Sequence, residues 1–385
     1  MVRLASRVSR LKASPIRDIL AVASRPGMIS FAGGLPSPES FPNVGSLSFE
    51  QGDLQYGSSE GEEYLREQVS ADMQAIGLKV SADSVLILSG SQQGIDLVGK
   101  LLVEEGTEVA IESPTYLAAL QVFGLFGAEY VNFDIDSLSS AFSKNTPTLL
   151  YSIPTFQNPS SRVYTDEQRQ NLARICDDND IVLFEDDPYR DLMYERCDRQ
   201  PVCSYMKHGR WIYQSTFSKT VAPGLRLGYL VCSPDLYPYL LRLKQAADLH
   251  SSRVSQRIVH RILNDESARA RLATLQQLYK DKRDDFNAVL CNYFDDIATW
   301  NLPQGGLFFW LTLKTTSRIN TQYLLSNAID SGVTFMPGEP FFTDDREASN
   351  CFRLSFSNVD KANMEIGLAK LSTIFRQVID TAESS

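Results

Sequence analysis

The sequence WIYQSTFSKTVAPGLRLGYLV, residues 211–231, places one lysine between two apolar runs. The first run, 211–217, is aromatic and β-branched, which is typical of a buried strand. A Pro223-Gly224 break follows, and the second run begins at Leu225. Lys219 therefore lies at the end of a buried strand. Lysine is rarely buried without a partner, so its position here needs a cause.

Short apolar runs alternate with helical segments on both sides of this stretch. The predicted strands are 85–88, 108–112, 148–153, 181–185, 211–217 and 227–231. This alternation predicts an α/β fold of three layers, with a mostly parallel sheet between helices on both faces. Only about nine residues join the last two strands, too few for a parallel crossover, so this pair is expected to be antiparallel and the sheet mixed.

The remaining chain predicts a second, smaller α/β unit. After Pro234 a long helical region runs to about Phe294, and strands GGLFFWLTL, GVTFMPG and CFRLSFS follow. We predict an N-terminal arm at 1–45 that joins the small domain, a large domain at 46–275 and a small domain at 276–385. ISFAGGLPSPESFP, residues 29–42, is expected to be a loop because it is rich in glycine, proline and serine.

The composition favours a globular protein that acts on small molecules. The 385 residues are 43% hydrophobic and 22% charged, with a formal net charge of -10, which argues against binding of nucleic acid or an anionic membrane. No run of eighteen apolar residues occurs, and basic residues interrupt the N-terminus, so we expect a cytoplasmic protein. Asp18 argues against the alternative, an organellar transit peptide.

Six cysteines without C-x-x-C spacing and three histidines predict neither disulfides nor a metal site.

Polar residues follow each predicted strand, at the edge where open α/β sheets bind ligands. They are Ser89-Gly90-Ser91-Gln92, Ser113-Pro114-Thr115-Tyr116, Pro154-Thr155-Phe156-Gln157-Asn158, Asp186-Asp187-Pro188-Tyr189 and Ser218-Lys219. Together they suit a flat, phosphorylated, cationic heterocycle. Lys219 would then form a Schiff base with an aldehyde cofactor, the alternative being a solvated loop lysine.

Two of these segments supply groups for a phosphate and a ring. Ser91 follows a glycine and opens a helix, whose free amides and dipole bind anions, although a plain N-cap is the alternative. Arg226 adds a cation with a planar fork. Tyr116 is placed to stack on the ring, unless it is an ordinary core tyrosine.

Asp186 ends a hydrophobic strand, where a carboxylate is costly to desolvate without a positive partner. A protonated pyridine nitrogen would be that partner. Strand alternation sends Glu185 and Asp187 to the opposite face, which singles out Asp186; an acidic metal site is the alternative. Asn158 and Tyr189 can hydrogen-bond a phenolic oxygen on the same ring.

These residues resemble those of the pyridoxal-phosphate-dependent aminotransferases of fold type I, in the 2-aminoadipate (kynurenine/lysine-type) subgroup. The matching stretches are SPIR, ISFAGGLPSPESFP, LQYG, SGSQQGIDLVGKLL, ESPTY, PTFQNPS, EDDPY, STFSKTVAPGLRLGY and FRLSFS. They span nearly the whole chain in the family's order. Two positions depart from the pattern, because Ser161 replaces a usual glycine and Thr216 stands where serine is common.

The resemblance implies a role for each matching residue. The catalytic residues would be Lys219, which forms the Schiff base, Asp186 at the ring nitrogen and Tyr116 on the ring. The cofactor, pyridoxal 5'-phosphate, would also contact Ser91, Gln92, Asn158, Tyr189, Thr216, Ser218 and Arg226, with Tyr56 donated by the partner subunit of a homodimer. Substrate would contact Arg353, Asn158, Gly34 and Arg17, the last two on a mobile N-terminal flap.

The activity implied is ping-pong transfer of an amino group from an L-amino acid to a 2-oxo acid such as 2-oxoglutarate. The donor would be 2-aminoadipate, an aromatic or a branched or aliphatic amino acid. A β-lyase or decarboxylase of the same fold is one alternative. A non-catalytic cofactor sensor, like the aminotransferase-like domains of bacterial transcription regulators, is another; the absence of a preceding basic DNA-binding domain argues against it.

Overall fold

A computed structural model of the chain describes residues 4–11, 19, 21–23, 25–45, 48, 50–138, 142, 146–344 and 348–384. Within these ranges the α-helices are α1 (Glu63–Ala75), α2 (Ser91–Leu102), α3 (Leu117–Phe126), α4 (Asp166–Asp178), α5 (Tyr237–Asp248), α6 (Arg253–Leu263), α7 (Ala268–Phe294), α8 (Leu324–Asp330) and α9 (Lys361–Glu383). The strands are β1 (Ile29–Ser30), β2 (Val85–Leu88), β3 (Glu108–Glu112), β4 (Glu129–Phe133), β5 (Leu149–Ser152), β6 (Val182–Asp186), β7 (Trp211–Thr216), β8 (Gly228–Cys232), β9 (Ala298–Trp300), β10 (Phe308–Leu313), β11 (Val333–Thr334), β12 (Met336–Pro337) and β13 (Cys351–Ser355).

Seven of the strands in the described ranges form one central sheet in the order β2-β8-β7-β6-β5-β3-β4. β8 is antiparallel to β2 and β7, and the other neighbours are parallel. The predicted mixed, mostly parallel sheet is therefore confirmed, including its antiparallel pair. β4 was missed because this half-exposed edge strand, EYVNF, carries polar residues that interrupt the apolar pattern.

Helices cover both faces of this sheet. Alternate strand residues pack to one side with α1, α4 and α6, as Leu183 does, and to the other side with α2, α3 and α5, as Phe184 does. β2, β5 and β6 are buried at every position, which explains the apolar runs VLIL, LLY and VLF that they contain. The strands other than β8 all point the same way, so the loops that follow them meet at one edge.

A second core surrounds a four-stranded antiparallel sheet in the order β12-β13-β10-β9, counted over the described residues. Its aromatic centre includes Phe286 of α7, Phe309 of β10 and Phe375 of α9. The long helical region expected up to 294 consists of three helices, α5, α6 and α7. α7 runs without a break across the predicted boundary at 275, and the domain division stays a prediction.

The expectation that all of segment 29–42 is a loop is wrong for its first residues, which form β1. Ile29 and Ser30 pair in parallel with Val333 and Thr334, which satisfies their backbone groups, and Phe31 is fully buried in the second core. The residues after Phe31 then cross toward the edge of the central sheet. Nowhere in the described part of the chain is a helix both long and apolar enough to traverse a bilayer.

Candidate functional site

Lys219 lies in the turn that follows β7. Its Nζ donates a hydrogen bond to the carbonyl oxygen of Gly34 at 2.9 Å and stands 5.7 Å from the centroid of the Tyr189 ring. Burial lowers the pKa of this amine to about 8, and the cations of Arg353 and Arg226 act in the same direction. The lysine can therefore exchange a proton near neutral pH.

Asp186 ends β6 and is almost fully buried, with 3% of its surface exposed. Tyr151 of β5 donates its hydroxyl hydrogen to Oδ2 at 2.8 Å, whereas Oδ1 has no hydrogen-bond partner among the described residues. Burial raises the pKa of this carboxyl group to about 6, against the lowering effect of neighbouring donors. An unpaired buried carboxylate oxygen is unusual, and a protonated ring nitrogen would supply what it lacks. This oxygen fits the implied cofactor.

The neighbouring acids face away from Asp186, as strand alternation predicts. Glu185 accepts a hydrogen bond from the backbone N–H of Cys203 at 2.9 Å, and Asp187 accepts one from the hydroxyl of Tyr213 at 3.0 Å. The described residues contain no group of histidine, cysteine and acidic side chains arranged to hold a metal ion. Asp186 is thus the only one of the three adjacent acids with its carboxylate on this face.

Tyr116, Tyr189 and Asn158 surround the space next to Asp186. Burial and the Asp186 carboxylate raise the pKa of Tyr116 to about 12, and burial raises the pKa of Tyr189. Both phenols are therefore neutral and can donate hydrogen bonds. Asn158 is buried, and its Oδ1 accepts a hydrogen bond from Nη1 of Arg353 at 2.7 Å.

The turn just before α2 contains Gly90, which has no side chain and lies against the guanidinium of Arg226. Gly90 has a φ of 88°, and a Cβ atom on it would overlap the Arg226 guanidinium. Arg226 itself adopts a left-handed conformation, and its Nη1 lies 3.4 Å from Oγ of Ser218. Oγ1 of Thr216 accepts a hydrogen bond from the backbone N–H of Ser218 at 3.1 Å. With Ser91 as the first helical residue, these groups form a cradle suited to a phosphate.

Arg353 of β13 is 3% exposed and lies between two aromatic rings. Its guanidinium carbon is 4.0 Å from the centroid of Phe308 and 5.0 Å from that of Phe341. Nη2 donates to the carbonyl oxygen of Ala32 at 2.6 Å, whereas Nε has no partner among the described residues. Burial lowers the pKa of Arg353 to about 10, so it remains a cation at neutral pH. A buried cation with a free N–H suits a ligand carboxylate.

Gly34 lies between Lys219 and Phe308. A Cβ atom at this position would come within 2.5 Å of the Phe308 ring, so glycine permits the close approach of the segment that carries it. Ser161 adopts a φ of 57°, the conformation that glycine prefers, and donates its hydroxyl hydrogen to the Phe308 carbonyl at 2.8 Å. Ser161 thus takes the backbone conformation expected of a glycine at this turn.

Two of the residues selected from the sequence do not join this cluster. Gln92 is exposed at the second position of α2. Tyr56 is 76% exposed, and its ring packs edge-on against His250 at 5.7 Å, on the outer surface of this protomer. Arg17 lies outside the described residues.

Sequence reasoning missed Tyr151, Phe308 and Phe341. Tyr151 pairs with Phe184, and because side chains alternate along a strand, Phe184 and Asp186 share one face, on which Tyr151 also lies. Phe308 and Phe341 come from distant segments, and no sequence signal places them against Arg353.

Comparisons with known proteins agree with this geometry. The profile of the family "Aminotransferase class I and II" matches residues 39–371. A 2-aminoadipate transaminase of Thermus thermophilus is 32% identical over 96% of both chains. An aromatic-amino-acid aminotransferase of Thermococcus litoralis is 32% identical over 95% of this chain and 92% of the relative.

A solved structure shows the same fold with a cofactor derivative bound. It is the α-aminoadipate aminotransferase of Thermus thermophilus in complex with N-(5'-phosphopyridoxyl)-L-leucine, 31% identical, with a TM-score of 0.88 over 98% of both chains. The chain therefore belongs to the class I and II aminotransferases, and it is a transferase of fold type I whose cofactor is pyridoxal 5'-phosphate.

Proposed function

We propose that this aminotransferase moves the amino group of 2-aminoadipate or an aromatic L-amino acid to 2-oxoglutarate. The observation that carries this proposal is that half-buried Lys219 and buried Arg353 both donate hydrogen bonds to segment 32–34, while Arg353 and Asp186 both lie near Tyr116. The amine can take a proton, the unpaired carboxylate oxygen can hold a ring nitrogen protonated, and the unpaired guanidinium N–H can bind a substrate carboxylate.

In this proposal the bound cofactor supplies an electron-accepting pyridinium ring, which makes the Cα proton of an amino acid removable. Asp186 would keep the ring nitrogen protonated through its otherwise unpaired Oδ1. Tyr116 would cover the ring, Asn158 and Tyr189 would hold its phenolic oxygen, and Lys219 would bind its aldehyde.

The phosphate would be held by the cradle at the start of α2. Ser91, Thr216, Ser218 and Arg226 would contact it, and Gln92 would contribute through the backbone N–H at its helical position. These roles follow from the cradle described above and from the resemblance.

Lys219 is proposed as the base that takes the proton from the substrate Cα. Its lowered pKa, about 8, makes a substantial neutral fraction available at neutral to mildly alkaline pH. Arg353 would clamp the α-carboxylate together with Asn158, which fixes the bond that is broken as Cα–H rather than Cα–COO⁻. The arm that carries Ala32 and Gly34 would close the site over the substrate side chain, with Arg17 on the same arm.

The donor class is proposed from the names of the two relatives, one acting on 2-aminoadipate and one on aromatic amino acids. The test is a panel of donors with 2-oxoglutarate, monitored by formation of glutamate and of the donor's own 2-oxo acid. We expect equal amounts of both products from 2-aminoadipate, phenylalanine or tyrosine. Release of ammonia or carbon dioxide, with no glutamate from any donor, would support a lyase or decarboxylase instead.

An Arg353→Met variant is tested with the same panel of donors. Because a buried cation then no longer meets the substrate carboxylate, we expect kcat/KM for the preferred donor to fall by about 10³-fold. Turnover of the matching amine without a carboxylate should change little. The exposed Arg318→Met serves as the matched control and should behave as wild type. An equal loss with amino acid and amine would reject the carboxylate role.

We further propose a cytoplasmic homodimer in which Tyr56 reaches the phosphate of the partner subunit. Tyr56 is exposed beside His250, and Leu54 and Leu249 nearby in sequence are exposed apolar side chains, which favours a covered surface. The division into an arm (1–45), a large domain (46–275) and a small domain (276–385) is proposed with it.

Mixing two inactive variants tests whether Tyr56 acts across the interface. Subunits carrying Lys219→Ala are combined with subunits carrying Tyr56→Ala. If Tyr56 acts in trans, each mixed dimer contains one intact site, and activity should recover to about a quarter of wild type for random pairing. Recovery no greater than that of the two separate variants would place Tyr56 in its own subunit's site or outside any site.

A further inference from the structure

Gln214 of β7 is buried beside Asp186, and the assigned roles do not use it. The two residues are direct neighbours in the parallel pairing of β6 and β7, and Gln214 has no exposed surface. Side chains at paired positions of neighbouring strands point to the same face. The amide of Gln214 therefore lies on the face of the sheet that carries the Asp186 carboxylate.

The amide is close enough to Asp186 to lower the pKa of its carboxyl group, yet it makes no well-aligned hydrogen bond. Nε2 and Oε1 of Gln214 and Oδ1 of Asp186 all lack a partner with good geometry among the described residues. Three unpaired buried polar atoms at one place are rare in folded proteins. A small rotation of the amide would let Nε2 donate to the carboxylate.

Gly94 of α2 provides the room for this amide. A Cβ atom on Gly94 would overlap Oε1 of Gln214 and would lie 2.9 Å from Cδ1 of Leu88. Glycine inside a helix is unfavourable relative to alanine, so its presence here needs a reason. Oε1 is the end of the amide nearest to Gly94, so Nε2, the donor end, lies farther from this helix.

We propose that Gln214 is a positioning residue for the cofactor, because its amide N–H donates to Asp186 and holds the carboxylate ionised and oriented toward the ring nitrogen. The proposal rests on the role of Asp186 in the proposed function. A carboxylate with a second donor, in addition to the Tyr151 hydroxyl, attracts the shared proton less strongly. The proton then remains on the ring nitrogen, where it makes the ring an electron acceptor.

The main test is a Gln214→Met variant, which keeps the side-chain volume and removes the donor. With cofactor labelled with ¹⁵N in the ring, the nitrogen resonance should move from the protonated position in wild type toward the unprotonated position in the variant. We expect kcat to fall by about tenfold, the effect of one unit in the carboxylate pKa, with KM changed little.

A cofactor analogue with carbon in place of the ring nitrogen provides the control. With this analogue, wild type and Gln214→Met should have equal residual rates, because no ring proton remains to be positioned. If the variant loses the same factor with both cofactors and leaves the nitrogen resonance unmoved, Gln214 only fills space and the proposal is wrong. If wild type itself works equally well with the analogue, the role of Asp186 fails and takes this inference with it.

A double-mutant cycle gives an independent test that does not depend on Gln214→Met folding well. Gly94→Ala should displace the amide and lower kcat by about as much as loss of the donor, that is, about tenfold. In a Gln214→Ala background the overlap with Oε1 is gone and only the approach to the flexible end of Leu88 remains, so adding Gly94→Ala should change kcat little. Additive losses would overturn the proposed link between the two residues.

Discussion

Lys219→Ala should reduce transamination by about 10⁴-fold, the upper end of what a positioned general base contributes. The variant loses the amine that would bind the cofactor aldehyde and carry the Cα proton. The visible absorbance of the enzyme-bound cofactor should shift to that of the free aldehyde. Turnover with 2-aminoadipate and an absorbance spectrum are the two measurements.

Lys207→Ala is the matched control for this variant. Lys207 is exposed, and its only described hydrogen bond comes from its backbone N–H. It should retain wild-type rate and spectrum. A Lys219→Ala enzyme with the same rate as the control would show that another residue is the base.

Asp186→Asn should lower kcat by about 10³-fold, because the amide cannot hold a proton on the ring nitrogen by charge. The same change should stabilise the apo-protein. Burial raises the folded-state pKa of this acid from 3.8 to about 6, so the ionised carboxylate opposes folding. This cost is absent below pH 3.8, grows as the pH rises and is complete above about pH 6, where it amounts to at most about 3 kcal/mol.

The predicted stabilisation is measured as the free energy of unfolding of the apo-protein at pH 4 and pH 8. We expect Asp186→Asn to exceed wild type at pH 8 and to match it near pH 4. A variant that is less stable than wild type at pH 8 would mean that the carboxylate is held for structural reasons and not for the cofactor.

Much of the fold could be predicted because its signal is local. Continuous apolar runs identify strands such as β2 and β6, and the short link between β7 and β8 excludes a parallel crossover. β4 was missed because polar residues interrupt its apolar pattern, and the two-residue β1 was missed because it depends on pairing with Val333–Thr334, far along the chain. The sequence of one segment alone does not indicate pairing with a segment far along the chain.

The site residues also divide into those that the local sequence indicates and those that depend on tertiary packing. The sequence indicates Lys219, Asp186 and the glycine-serine turn before α2. Each follows an apolar strand, where a buried charged or polar group needs a partner. The role of Arg353 came only from the resemblance, and the rings of Phe308 and Phe341 around it depend on tertiary packing. Gln214 could not be selected, because a glutamine in a strand gains meaning only from Asp186 and Gly94 on other elements.

We propose that one cluster around Lys219 and Asp186 carries out half of a transamination and then requires an acceptor to complete it. The direct measurement is a single-turnover reaction of cofactor-loaded enzyme with 2-aminoadipate or phenylalanine in the absence of any 2-oxo acid. We expect one equivalent of the donor's 2-oxo acid per subunit, no ammonia, and further turnover when 2-oxoglutarate is added. Continuous release of ammonia or carbon dioxide, or no product at all from any donor, would contradict it.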